Sequence, residues 1–180
     1  TLLSVPHYKF AWQFTYELTQ NLRNTRPIGD KVAAVSGGER GRRGVAGPLP
    51  KWRDVHERRR QERDVIAVIE DLIDDGFGPT NLVVLCSSGQ LVKRLSEFTV
   101  GPYSFGTWGG RGIPVETVAR FKGLDAEAVV LVLDGTETER ELMLAYVGMS
   151  RARTVLVVVG ERRLQGPLSW AQPEASVTSK

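Results

Sequence analysis

The sequence predicts a three-layer α/β domain whose sheet is mainly parallel. Apolar runs of five or six residues alternate with amphipathic helical stretches along the chain, and strands that are separated by helices pair in parallel. The runs VVLVL (residues 129–133) and VLVVV (residues 155–159) are apolar at every position, which is typical of a sheet that is covered on both faces. A length of 180 residues suits one such domain.

The amino-terminal elements come first. Residues 12–18 are aromatic and roughly alternating, which predicts a strand. Asn24 or Thr25 is expected to cap a helix that continues to Val35, with Pro27 in its first turn, where a missing N–H is tolerated. We interpret residues 1–13 as a lead-in segment and residues 36–50, which are rich in Gly, Arg and Pro, as a mobile basic loop.

The rest of the chain alternates strands with helices. Apolar runs predict strands at residues 81–86, 113–118, 128–133 and 154–159, and residues 51–56 are expected to form a short edge strand. Apolar residues three and four apart predict helices at residues 59–75, 88–98 and 137–149. A glycine- and aromatic-rich hairpin or loop is expected at residues 100–112. The domain is then expected to end near residue 160, and residues 161–180 form a frayed tail.

The composition excludes several classes of protein. The chain is 41% hydrophobic and 25% charged, as in soluble globular proteins, and no apolar run approaches the ~20 residues of a membrane span. We therefore expect a cytoplasmic protein with no membrane partner. Its one cysteine, Cys86, closes an apolar run and is interpreted as a buried thiol. The two histidines are not paired at ligand spacing, so no metal site is expected in this chain.

Positive charge is concentrated in one span. Residues 36–63 hold nine basic and four acidic side chains, while the whole chain has a net charge of +3. Such a span is expected of a protein that binds a phosphate backbone. A solvated loop has the same composition, so the charge alone leaves both interpretations open.

The sequence holds half of a nucleotide site at most. No Walker A pattern occurs, and the strand that ends at Asp134 resembles a Walker B strand without a phosphate loop to accompany it. Asp134 is therefore interpreted as a cap of the following turn, and Glu137, Glu139 and Glu141 as a solvated helix face. Ligands of such sheets bind at the carboxyl ends of strands, so we expect residues 20–25, 86–90, 120–125 and those around Arg153 to share that edge.

Three segments resemble motifs of one helicase family. Residues 146–153, YVGMSRAR, resemble motif VI of superfamily 1 helicases of the UvrD/Rep type. Residues 117–125, TVARFKGLD, resemble motif V, and residues 18–25, LTQNLRNT, resemble motif IV. The order matches, and the resemblance covers roughly residues 14–160. It implies a RecA-like (P-loop NTPase-type) fold and the second motor domain of that family, 2A, which lacks a P-loop of its own.

The resemblance also implies roles for individual residues. Arg151 matches the arginine finger that reaches the γ-phosphate of ATP, and Arg23 matches a second γ-phosphate contact. On the nucleotide side, Asp125 stands where the family has Glu near the sugar, and Gly123 permits the turn before it. The implied DNA contacts are Thr117, Arg120 and Lys122. Besides Asp125, three positions depart from the family: Leu22 replaces a tyrosine, Ala119 replaces a histidine, and Ser150 replaces a threonine.

The implied protein is an ATP-dependent DNA helicase or translocase of the kind that serves DNA repair. An N-terminal RecA-like domain of the same protein would supply the P-loop and the Mg²⁺ ligands, so this chain alone is expected to be inactive. Single-stranded or partly duplex DNA is the implied partner. One alternative is a non-catalytic, degenerate RecA-like module that binds nucleic acid or protein. Another is a translocase that serves a nuclease or a restriction system.

Overall fold

A computed structural model describes residues 23–37, 44–136 and 138–170. Its strands are β1 (Lys51–Asp54), β2 (Leu82–Cys86), β3 (Thr99–Val100), β4 (Tyr103–Gly106), β5 (Ile113–Thr117), β6 (Ala126–Val132) and β7 (Ala152–Gly160). They form one sheet in the order β1-β7-β6-β2-β5-β4-β3. Every neighbouring pair is parallel except β3 with β4. The predicted α/β class and the mainly parallel sheet are confirmed.

Helices cover both faces of the sheet. They are α1 (Arg26–Ser36), α2 (Gln61–Asp74), α3 (Gly89–Leu95) and α4 (Glu139–Met149), with two short 3₁₀ helices, η1 (Arg58–Arg60) and η2 (Arg162–Gln165). One core contains apolar residues of α1 and α4, and the other contains those of α2 and α3. Successive strand side chains point to opposite faces, so the apolar runs of β6 and β7 supply both cores.

Two helices are capped as their sequences indicate, and one is not. The Ser88 hydroxyl accepts a hydrogen bond from Leu91 N at the start of α3, and the Thr138 hydroxyl accepts from Glu141 N at the start of α4. Thr25 precedes α1, but its side chain makes no capping hydrogen bond, and its buried Oγ1 has no partner among the described residues. Its backbone N–H donates instead to Arg153 O, which ties α1 to β7.

The glycine- and aromatic-rich segment extends the sheet. β3 and β4 form the expected hairpin, and β4 then pairs in parallel with β5 through Phe105 and Ile113. Two other predictions fall on undescribed residues: the strand at residues 12–18 and the lead-in segment. Of the predicted loop, residues 38–43 lie outside the described ranges, residues 44–50 have no regular structure, and mobility stays a prediction.

The packed chain continues past the expected boundary at residue 160. η2 and the residues after it bury Leu164, Leu168 and Trp170 in the core that contains α1 and α4. The Trp170 ring lies 5.2 Å from the Trp52 ring, and Lys31 Nζ lies 4.7 Å from its centroid. Three apolar residues in a polar stretch gave no periodic signal. Residues 161–170 therefore belong to the folded domain, whereas residues 171–180 are not described.

Neither a membrane-spanning helix nor a cluster of metal-ligating side chains occurs in the described part of the chain. None of the helices in these ranges is long and apolar enough to cross a membrane. No group of three or more His, Cys, Asp or Glu side chains in them could hold a metal ion.

We predict that Leu164→Ala destabilises the domain. Leu164 is fully buried, so truncation removes apolar contacts and leaves a cavity, which should lower the free energy of unfolding by about 2–5 kcal/mol. Leu49→Ala is the matched control because its side chain is 77% exposed, and it should change the free energy by less than about 0.5 kcal/mol. Urea denaturation measures both. Equal effects would show that residues 161–170 do not stabilise the domain.

Candidate functional site

Parts of the segments that resemble motifs IV, V and VI, namely residues 23–25, Asp125 and Arg151, meet at the amino ends of β6 and β7. The two strands pair with Ala126 opposite Ala152, so the residues that precede them, Asp125 and Arg151, are neighbours. Ala126 N donates to Arg151 O over 3.1 Å, and Thr25 N donates to Arg153 O over 2.8 Å. Backbone hydrogen bonds thus hold the end of the motif V segment, Arg151 and residues 23–25 at one edge.

This location corrects the edge predicted from the sequence. Arg151 and Asp125 enter β7 and β6, and residues 23–25 are bonded to the start of β7, so all of them lie at the amino edge. Of the expected set, residues 87–90 do follow the carboxyl end of β2, and Arg120 follows that of β5. The rule about carboxyl ends applies to loops that leave strands, and these motif residues stand in loops that lead into strands.

A carboxylate lies between the two candidate arginines. Arg23 Nε lies 3.3 Å from Asp125 Oδ2, and Arg151 Nη1 lies 3.9 Å from Asp125 Oδ1. The Oδ1 atom is buried and has no hydrogen-bond partner among the described residues. Two guanidinium groups therefore share one carboxylate, and this pocket of charge favours a further anion.

Arg151 is held against the last turn of α4. Its Nε donates to Val147 O over 3.2 Å, and its Nη2 donates to Ser150 Oγ over 3.0 Å. Only 14% of the side chain is exposed, compared with 51% for Arg23. The position of the Arg151 guanidinium is thus set by the helix end, while Arg23 reaches the same carboxylate from the solvent side.

Asn24 clamps the backbone around Arg151. Its buried amide nitrogen donates to Ser150 O over 3.2 Å and to Ala152 O over 2.5 Å. These carbonyl groups belong to the residues on either side of Arg151. The sequence indicated Asn24 only as a possible helix cap, because its actual partners lie more than a hundred positions away. Only the folded chain shows that Asn24 positions Arg151.

The crossover from β5 to β6 joins the two edges of the sheet. Residues 118–125 form turns without a helix, and Val118 and Phe121 anchor them in the core. Gly123 has a φ of 89°, in the region that favours glycine, as expected for a tight turn before Asp125. The crossover therefore starts at the carboxyl edge and ends beside the arginines.

The candidate DNA-binding residues belong to the start of this crossover. Thr117 ends β5, and its hydroxyl oxygen accepts a hydrogen bond from Arg120 N over 3.3 Å. Arg120 is exposed and lies 3.4 Å from a carboxylate oxygen of Glu116, and Lys122 is exposed. Thr117 therefore lies at the carboxyl edge, and Arg23 and Arg151 lie at the amino edge, so the length of the strands separates them.

A cleft of about 580 Å³ opens at the carboxyl edge, beside the amino end of α4. Hydroxyl groups from three loops line it, and they belong to Ser87, Ser88, Thr117, Thr136 and Thr138. The hydroxyl groups of Ser87 and Thr136 donate to Glu141, so those of Ser88, Thr117 and Thr138 are the donors that suit the oxygen atoms of a phosphate or a sugar.

Glu141 organises the wall of this cleft. Its buried carboxylate accepts hydrogen bonds from the backbone N–H groups of residues 134–136 and from the hydroxyls of Ser87 and Thr136. Glu141, not Asp134, therefore caps the turn after β6, and it is not part of a solvated face. The sequence did contain a signal for this, because Thr138 and Glu141 have the spacing of a capping box.

The pKa values of two buried groups follow from these surroundings. Burial alone would raise the pKa of Glu141, but the hydrogen bonds from Thr136, Gly135 and Ser87 together hold that pKa below its ordinary value. Burial, with a smaller effect of Asp134, raises the pKa of the Cys86 thiol. Cys86 is therefore buried and protonated, as its sequence context indicates.

We predict that Glu141 stabilises the domain in a pH-dependent way. Glu141→Gln should lower the free energy of unfolding at pH 7 by about 1–3 kcal/mol, because it leaves buried donors without a charged acceptor. The folded pKa is depressed, so this stabilisation is complete above the ordinary pKa of about 4.3 and is lost as the pH falls through the folded pKa. The difference between variant and wild type should therefore shrink in acid.

The exposed Glu139, in the same turn of α4, supplies the control for this measurement. Glu139→Gln should change the free energy of unfolding by less than about 0.5 kcal/mol at any pH. Urea denaturation across the pH range measures both variants. A Glu141→Gln penalty that stays constant into acid would contradict the assignment.

We predict that Asn24→Asp destabilises the domain through the clamp around Arg151. The substitution keeps the shape but removes the amide donor and places a carboxylate against two carbonyl groups, which should cost about 1–3 kcal/mol. Gln90→Glu makes the same chemical change at an exposed position and should be nearly neutral. Chemical denaturation compares the two, and an equally mild Asn24→Asp would mean that the clamp is dispensable.

Comparison with known proteins supports the fold. No protein-family model matches the sequence, and no curated protein matches it. Among solved structures, the chain is similar to the C-terminal domain of a possible DNA helicase from Lactobacillus plantarum WCFS1, with a TM-score of 0.66 and 18% identity over 85% of this chain and 95% of that one. It is also similar to the PRRSV helicase, with a TM-score of 0.43 and 15% identity over 81% of this chain and 23% of that one. The first likeness shows a shared fold.

Proposed function

We propose that this chain is the second RecA-like motor domain of an ATP-dependent superfamily 1 DNA helicase of the UvrD/Rep type. The observation behind the proposal is that Arg23 and Arg151, which are distant in sequence, reach the same carboxylate at one edge of the sheet. These are the two residues for which the motif resemblance implies contact with the γ-phosphate. The likeness to the C-terminal domain of a possible DNA helicase agrees with the assignment.

The arginine pair fits the terminal phosphate of ATP. The Asp125 carboxylate lies within 3.3 Å of Arg23 Nε and 3.9 Å of Arg151 Nη1, so one negative charge faces two guanidinium groups. A guanidinium at this place stabilises the charge that develops on a transferred phosphoryl group. We assign that role to Arg151, which is the more firmly held of the two, and a supporting contact to Arg23.

Asp125 and Gly123 complete the nucleotide side. Asp125 balances one of the two positive charges and keeps both guanidinium groups directed at one point. We therefore assign Asp125 primarily to the arginines, and a contact with the sugar of the nucleotide is secondary. Gly123 provides the turn that brings Asp125 to that point. The P-loop and the Mg²⁺ ligands would come from an N-terminal RecA-like domain, because this sequence holds no Walker A pattern.

The other end of the crossover would contact single-stranded or partly duplex DNA. Thr117 presents a hydroxyl group in the carboxyl-edge cleft, and Arg120 and Lys122 supply exposed positive charge on the turns that follow. One continuous segment, residues 117–125, would thus link DNA contact to the arginine site. Closure and opening of the two motor domains would then move DNA along the carboxyl edge.

The test is DNA-stimulated ATP hydrolysis by the protein that contains both RecA-like domains. Arg151→Ala should lower turnover by on the order of 10³-fold while ATP and DNA binding persist. Arg23→Ala should also lower turnover, and it avoids the folding risk because its side chain is half exposed.

Arg153 supplies the matched control, since it stands two positions from Arg151 and its exposed side chain pairs with Glu127 over 3.1 Å. Arg153→Ala should leave turnover near that of the wild type. Unchanged turnover in Arg151→Ala and Arg23→Ala, with folding intact, would contradict the motor assignment. It would favour a non-catalytic module that binds nucleic acid or protein.

A further inference from the structure

Two arginine-rich 3₁₀ helices lie side by side at the carboxyl edge of the sheet. η1 follows β1 and η2 follows β7, and these strands pair in parallel with Asp54 opposite Gly160. Gln165 of η2 donates to Asp54 Oδ1 over 2.9 Å, which joins the two connections. The helices together hold five arginines, namely Arg58, Arg59, Arg60, Arg162 and Arg163.

Both helices are fixed to the turn that follows β6. Arg58 donates to Asp134 O, and Arg163 donates to Gly135 O. Beside η1, the buried Gln61 donates to Leu133 O over 2.7 Å, and Leu164 anchors η2 in the core. The same turn is held from its other side by Glu141. The arginines therefore project from a rigid base.

Most of this charge is neutralised by ion pairs, and two of the arginines remain outside them. Arg58 pairs with Asp134, Arg60 pairs with Glu57, and Arg163 pairs with Glu161. Arg59 and Arg162 are both exposed, and neither forms an ion pair with another described residue. Asp54 is bonded to the neutral Gln165, so the five arginines face four carboxylates, those of Asp54, Glu57, Asp134 and Glu161, and the net surplus is one positive charge.

We infer that Arg59 and Arg162 form a second phosphate-binding site for the backbone of a nucleic acid. This site extends the DNA contact of the proposed function and rests on it for the class of ligand. Guanidinium groups pair with phosphate oxygens through parallel hydrogen bonds, and a rigid base lowers the entropy lost on binding.

The location favours a nucleic acid over an acidic protein. The loops at the carboxyl ends of β1, β7, β6, β2 and β5 lie in that spatial order, from the two arginines at one side to Thr117 at the other. Four strand spacings of ~4.8 Å make this band about 19 Å long, enough for several nucleotides of an extended strand. The carboxylate of Asp134 pairs with Arg58, and that of Glu141 accepts hydrogen bonds from buried donors, which weakens the repulsion of a phosphate by either group.

The test uses the 180-residue chain itself. Fluorescence anisotropy follows its binding to a labelled oligothymidylate of about 20 nucleotides across a series of salt concentrations. The double variant Arg59→Ala/Arg162→Ala should raise Kd on the order of tenfold at low salt. The slope of log K against log salt should become shallower by about 1.4, because each phosphate contact on a single strand contributes about 0.7.

Lys93→Ala/Arg111→Ala is the matched control. It removes the same charge from exposed positions on α3 and on the β4–β5 loop, away from the carboxyl ends of β1 and β7, and it should keep Kd and slope near the wild-type values. Equal losses in the two double variants would overturn the site, since net charge alone would then explain them. Wild-type Kd and slope in Arg59→Ala/Arg162→Ala would also overturn it.

A third variant separates this inference from the proposed function. If Arg120→Ala/Lys122→Ala weakens binding while Arg59→Ala/Arg162→Ala does not, the second site is wrong and the DNA contact of the crossover stands. The reverse result supports the second site and removes that contact. A poly-glutamate that displaces the oligonucleotide from the wild type at equal charge concentration would overturn the nucleic acid in favour of an acidic protein.

Discussion

The pairing of β6 with β7 is the constraint on which the arrangement of this domain depends. Their register places Ala126 opposite Ala152, and from it follows the proximity of Asp125 to Arg151. Both strands are apolar on both faces, so a slip by one residue would exchange the side chains that fill the two cores. The position of α4 is fixed by its packing on the sheet. A Cβ on Gly148 would lie 2.6 Å from Leu131 Cδ1, so the helix lies directly on β6. That contact sets the position of the carboxyl end of α4, and hence the position of Arg151, which follows it.

A consequence of the topology is that the two groups of candidate residues occupy opposite edges of one sheet. The arginine pair lies where β6 and β7 begin, and the hydroxyl-lined cleft lies where β2 and β5 end. Residues 118–125 return the chain from one edge to the other without a helix, anchored by Phe121 against Trp108 with ring centroids 4.9 Å apart. A nucleotide and a nucleic acid could thus be bound at the same time without competing for space.

Much of the fold could be predicted because it depends on apolar periodicity, which is local. The strands of the parallel sheet, the four helices and the two-faced burial follow from the runs around Val83, Val130 and Val157. The packing of residues 161–170 was not predicted, because Leu164, Leu168 and Trp170 form no regular pattern in the sequence. Their burial depends on contacts with Trp52 and α1, which only the folded chain brings together.

The candidate site could be predicted in its residues but not in its placement. Motif resemblance selected Arg23, Asp125 and Arg151, yet their edge of the sheet was assigned wrongly, since a rule for loops after strands was applied to loops before them. The clamp by Asn24 joins positions more than a hundred residues apart, and no local pattern encodes it. Glu141 shows both situations. Its capping-box spacing with Thr138 could be read from the sequence, but its burial depends on the turn after β6 that its carboxylate caps.

The continuous burial of β6 gives the domain a mechanical property. The strand spans seven residues, or about 23 Å, and its core neighbours are close-packed on both sides, so it transmits displacement without absorbing it. The amino edge of this rigid sheet lies at the arginine pair, and its carboxyl edge lies at the hydroxyl-lined cleft. A rotation of about 10° around the arginine edge moves the opposite edge by roughly 4 Å, a displacement comparable with the rise of one nucleotide. If the proposed motor moves by such a rotation, the length of β6 would set the size of its step.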